Sequence, residues 1–71
     1  MPSDTQPIIY LISPLADGRW FVDSAAGTSG YSFHSLPEAE RFALLLAQKN
    51  APSKVQVLSA DGEVVDEKVV D

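Results

Sequence analysis

The chain contains no cysteine, which excludes a disulfide framework and a thiolate metal site. It has a single histidine, so a histidine-rich metal site is excluded as well. Basic residues are scarce: five Lys and Arg stand against ten Asp and Glu, for a formal net charge of −5. The five, Arg19, Arg41, Lys49, Lys54 and Lys68, are scattered rather than clustered. An acidic domain repels phosphate backbones, which counts against nucleic acid as a partner. Long apolar runs are also missing. The apolar run near the start is bracketed by Pro7 and Pro14 and has no basic segment before it. It is too short to span a membrane and wrongly flanked for a signal peptide. The expectation is a cytoplasmic protein with no membrane partner.

What is present is a short chain, 71 residues, with a globular hydrophobic content of 45%. A domain of this size buries only about 60% of the surface its unfolded chain exposes. Below roughly 70–80 residues a single core rarely supplies more than ~3–5 kcal/mol. With disulfides and metal staples excluded, association with another chain is the common remaining way to close the gap.

One stretch has a clear helical period, residues 33–50, FHSLPEAERFALLLAQKN. Ser35 with Glu38 three residues on forms a capping-box pattern, and Pro37 falls in the first turn, where its missing N–H costs little. Leu36, Ala39, Phe42, Ala43 and Leu46 form an apolar stripe with Ala47 at its edge. Leu44 and Leu45 fall outside the stripe, towards the outer face. Asn50, in a left-handed cap, and Pro52 end the helix.

The rest reads as strands and turns. Residues 8–12, IIYLI, are β-branched and aromatic and apolar on both faces, so this strand wants cover on both sides. Asp17-Gly18 is a hairpin turn leading into residues 19–23, where Trp20 and Val22 share one face and Phe21 the other. Residues 24–30 are a small-residue loop, and Tyr31 to His34 form a short extended lead into the helix. Residues 54–59 make a third strand with Val55 and Val57 inward. Asp61-Gly62 is a second hairpin turn, and residues 63–70 are a fourth strand, charged in its middle as suits an edge or a solvent face. Residues 1–7 are expected to be a loose tail ahead of one domain over 8–71. The expected fold is α+β, ordered β-β-α-β-β. Two hairpins form a small, mainly antiparallel sheet, and one helix packs on one face.

Tyr10-x-Ile12-x-Pro14, Gly18-x-Trp20-x-Val22, Phe33 followed by Glu38-Ala39, then Ala43, Val55-x-Val57 and Asp61-Gly62 form an ordered set. In that set the chain resembles the small bacterial family catalogued as DUF2188, a domain of unknown function. The resemblance spans nearly the whole chain. It implies a β-β-α-β-β fold and no activity, since the family has no established one. Members usually carry more basic residues around the second strand and the helix entry, where this chain has Asp23-Ser24-Ala25-Ala26 and His34-Ser35-Leu36-Pro37.

Each candidate for chemistry has a plainer explanation. His34 beside Ser35, with Asp23 or Glu38 as orienter, has the residue types of a hydrolytic triad. A triad needs a pocket, however, and Ser35 is already accounted for as a helix cap. Asp61, Glu63, Asp66, Glu67 and Asp71 lack the spacing of a calcium loop, and Asp61-Gly62-Glu63 is a turn. No catalytic residue, cofactor or metal is therefore assigned. The apolar surplus is more telling. Ile9, Leu11 and Phe21 on the far sheet face, with Leu44 and Leu45 on the helix, exceed what one small core can bury. The expected role is a non-enzymatic protein-interaction domain. Its partner is a second copy through the uncovered sheet face or the helix, or another protein. The alternative is a module binding a small ligand or nucleic acid through Trp20, Tyr31 and His34.

Overall fold

A computed structural model of the chain describes residues 8–24 and 30–71. The expected tail over 1–7 and most of the loop after the second strand lie outside these. The elements run β1 (Ile8–Pro14), β2 (Trp20–Ser24), β3 (Tyr31–Phe33), α1 (Leu36–Lys49), β4 (Ser53–Leu58) and β5 (Val64–Val70). The fold is α+β: one helix on a five-stranded mixed sheet, in the order β3-β2-β1-β4-β5. Three strands precede the helix, where two were expected. Tyr31–Phe33 pairs antiparallel with β2, Trp20 opposite Phe33 and Tyr31 opposite Val22. Three residues are too few to display a period of two, so this edge strand reads in sequence as a lead-in.

Each hairpin is antiparallel, but the two hairpins join through a parallel pairing of β1 with β4, Tyr10 opposite Val55 and Ile12 opposite Val57. β3 and β4 run in the same direction, and α1 is the crossover that carries the chain between them over β2 and β1. The three inner strands β2, β1 and β4 are thus hydrogen-bonded on both sides, and their inward side chains are the best buried. Tyr10, Ile12, Val22, Val55 and Val57 line the face under the helix, each at most 6% exposed.

The helix meets this face through Ala39, Ala43 and Ala47, all fully buried. Leu36, Phe42, Leu44 and Leu46 are partly buried around them. Ala47 is therefore at the centre of the contact rather than its edge. Leu44 packs against the core instead of facing outward. The reason is the alanine line: with no large side chain beneath it the helix lies low on the sheet, and its flanking positions reach the core too.

The helix start follows the capping pattern, the Ser35 hydroxyl accepting from the Glu38 amide at 3.5 Å. The end differs from expectation. Asn50 is not left-handed (φ −121°). Its side-chain amide instead donates to the Leu46 carbonyl at 2.9 Å and to the Tyr10 hydroxyl at 3.1 Å. Ser53 Oγ donates to the Asn50 carbonyl at 2.6 Å. The helix terminus is thereby tied to β1 and β4 by side chains, which satisfies carbonyls that a left-handed cap would otherwise serve.

Candidate interaction surface

Among the described residues, no helix lies on the sheet's second face. Alternation along each strand puts Ile9, Leu11 and Ser13 of β1 there, with Phe21 and Asp23 of β2, Lys54, Gln56 and Leu58 of β4, and Glu67 and Val69 of β5. Ile9, Lys54 and Val69 form one row; Asp23, Leu11, Gln56 and Glu67 form the next. The face is thus amphipathic rather than oily. Ile9 and Leu11 are half-buried, not exposed. Lys54 stands between Ile9 and Val69, and a lysine stem can cover apolar neighbours while its ammonium stays in water. Phe21 shares this face with Ile9 and Leu11, as expected. Its ring lies over Gly30: a Cβ at Gly30 would overlap it. Nothing in the residue types signalled that contact, because Gly30 reads as one more small residue of a loop.

The five residues expected to form an interface do not form one patch. Ile9, Leu11 and Phe21 lie on the helix-free face, and Leu44 and Leu45 lie on the other side of the sheet. Of these two, Leu45 is the exposed one, at 52%. Two shallow grooves flank α1. One, of about 460 Å³, is lined by Phe33, Pro37, Glu38, Arg41, Phe42 and Leu45. The second, of about 350 Å³, lies between α1 and β5, with Leu44, Gln48 and Lys68 among its walls.

Trp20, Tyr31 and His34 line neither groove. Trp20 is half-buried against the core, and Tyr31, though 53% exposed, sets its ring edge-on to Phe42 at 5.0 Å. Phe33 meets Phe42 from the same side at 5.1 Å. Tyr31 and Phe33 therefore point the same way, and their partner is a helix residue. His34 is exposed, and its neighbour Ser35 is engaged as the helix cap. No group of three His, Asp or Glu side chains able to share a metal ion occurs among the described residues. Among the described residues no helix is long and apolar enough to cross a membrane.

Among the described residues the greatest apolar exposure is on β5, whose central charges suit an edge or a solvent face. Val64, Val65 and Val69 are 50%, 64% and 61% exposed, and every β5 residue before Val70 is exposed. The strand is an edge, so one side of its backbone is unpaired within the sheet. A register shift opposite Val57 and Leu58 leaves Val65 as the extra residue of a bulge. The signal that could have marked it was the valine pair at each end of the segment, Val64-Val65 and Val69-Val70, which flanks the charges.

No family model matches the chain, and neither does any curated protein or solved structure.

Proposed function

We propose that this domain works by protein–protein association rather than catalysis, and that it forms a homodimer through surface its single helix leaves uncovered. The observation that carries the reading is the concentration of exposed valine on an unpaired edge strand, bordering a helix-free face that holds Ile9, Leu11 and Phe21. A short chain without disulfides has little stability to spare, and covering such a border would add to it. The acidic surface sets phosphate-bearing partners aside. We further propose kinship with the DUF2188 family, on the residues quoted above, and a bacterial cytoplasmic setting. Neither assigns an activity.

Sedimentation velocity from micromolar to millimolar protein tests the reading. A sedimentation coefficient that rises with concentration towards a dimer is the expected result. A monomer throughout that range removes the homodimer.

A further inference from the structure

Resting on that reading, we infer that two copies of the chain join by pairing β5 with β5 antiparallel, in the one register that sets Glu67 on the two-fold axis. β5 is the long free edge: seven residues against three in β3 at the other border. Charges and a bulge are common ways of keeping an edge from pairing, and β5 has both. What distinguishes β5 is the order of its side chains, Val65-Asp66-Glu67-Lys68-Val69.

Antiparallel strands related by a two-fold keep opposed residues on the same sheet face only if the axis passes through a residue. Three such registers use the middle of the strand. With the axis at Asp66, Val65 faces the partner's Glu67, and beyond it the bulge at Val65 sets Val64 and the partner's Lys68 on opposite faces. With the axis at Lys68, Glu67 faces the partner's Val69 and Asp66 the partner's Val70. With the axis at Glu67, Asp66 faces the partner's Lys68 in both halves and Val65 faces the partner's Val69. Only this last register matches acid with base and valine with valine.

Both groups can reach a partner strand, although Asp66 Oδ1 already accepts from the Glu67 backbone amide at 2.9 Å and would exchange that bond for the partner's Lys68. Asp66 and Lys68 lie opposite Val57 and Val55, hence on the helix side of the sheet, and both are exposed. Among the described residues the ion pair is Arg19 with Asp17, and neither Asp66 nor Lys68 has an ionic partner among them. On the helix-free side the two Glu67 carboxylates meet at the axis. Each is held by Gln56 Nε2 at 2.7 Å, with Lys54 in the adjoining row. Like charges directly opposed weaken the pairing, so Glu67 is the residue that keeps the dimer loose. The product is one continuous sheet with both helices on the same face. Its interface falls at the low end for specific association, below about 1,200 Å², which makes the dimer concentration-dependent.

Sedimentation equilibrium on the full chain and four variants, each checked for folding by circular dichroism, tests the register. Lys68→Asp places two acids opposite each other on both sides of the axis and should weaken the dimer by about tenfold or more. The swap Asp66→Lys with Lys68→Asp restores complementarity and should return the dissociation constant to near its original value. Glu67→Gln should tighten it by several fold. A dimer indifferent to Lys68→Asp, or one not rescued by the swap, overturns the inference. If Leu11→Lys abolishes that dimer while Lys68→Asp does not, the sheet face is the interface and the proposed function stands without this register. A monomer at every concentration overturns both.

Discussion

The chain contains two hairpins with the same turn and different fates. Leu15-Ala16-Asp17-Gly18-Arg19 and Ser59-Ala60-Asp61-Gly62-Glu63 share the tripeptide Ala-Asp-Gly. In the first, Leu15 N donates to the Arg19 carbonyl at 2.7 Å and Gly18 N to the Leu15 carbonyl at 3.1 Å; in the second, the equivalent bonds are 2.8 and 2.9 Å. The glycines sit at φ 91° and 87°. Beyond the turns the likeness ends. β2 buries alternate side chains, Val22 at 2% exposure, whereas β5 is exposed from Val64 to Val69. Turn chemistry is local and repeats with the tripeptide. Burial is decided by where the helix lies, and the alanine line of α1 lies over the middle of the sheet rather than its β5 border.

The sharpest way to break this contrast is one substitution made on both second strands. Val22→Ala removes a buried side chain worth about 1.5–3 kcal/mol, a large share of what so small a core supplies. Val69→Ala removes an exposed one and should change monomer stability by no more than about 0.5 kcal/mol. Urea unfolding of dilute samples measures both. Similar losses would mean that β5 is covered even in the monomer. Next in size is Ala43→Leu, which forces bulk under the helix and should cost about 1–3 kcal/mol by overpacking. A neutral result in the same unfolding assay would mean the helix does not lie as low as its alanine line requires.

The parts of the fold that read clearly from sequence are those set by neighbouring residues. Both Asp-Gly turns, the Ser35 cap and the inward alternation of Trp20 with Val22 and of Val55 with Val57 needed nothing distant. The parallel join of β1 to β4 did not read, because no side chain encodes which strand lies beside which. β3 was too short to show a period, and the work of Asn50 depends on Tyr10, forty positions away in sequence. Leu44 was misplaced because helical period gives an angle but not how low the helix sits. The candidate surface divides the same way. Phe21 was rightly joined to Ile9 and Leu11 by alternation. The prominence of Val64, Val65 and Val69 follows from the helix lying away from β5, which no residue of that strand encodes.

If the turns are as alike as their bonds, their glycines should be interchangeable in cost. Gly18→Ala and Gly62→Ala would each put a side chain where φ favours glycine, with no atom beyond the adjoining residues within 4 Å of the new Cβ in either case. The cost is then conformational alone, about 1–2 kcal/mol at each turn. Thermal melts of the two variants should shift by the same amount. A clear inequality would mean that strand context, and not the turn, carries the difference.

The smallest expected effect separates the turns by their closing residue. Arg19 can serve Asp17, whereas Glu63 cannot serve Asp61; there Ser59 Oγ accepts from the Asp61 and Glu63 amides instead, at 3.2 and 3.3 Å. Asp17 accepts from the Arg19 backbone amide at 3.1 Å and from its guanidinium Nε at 2.9 Å. The amide bond first, then the guanidinium bond, holds the carboxyl below its ordinary value of 3.8. A carboxyl whose pKa is lower folded than unfolded favours the folded state above the unfolded value. That contribution fades as pH falls through the folded value, so acid below the ordinary carboxylate range should loosen the first turn. The site is open to solvent, so the effect is one of local order rather than global stability. Carboxyl-carbon NMR titration of Asp17 measures it. In Arg19→Ala the backbone amide still donates, so the pKa should rise only part of the way to 3.8. A full return would mean that the guanidinium alone holds the turn's carboxylate, and no change would mean that the amide does.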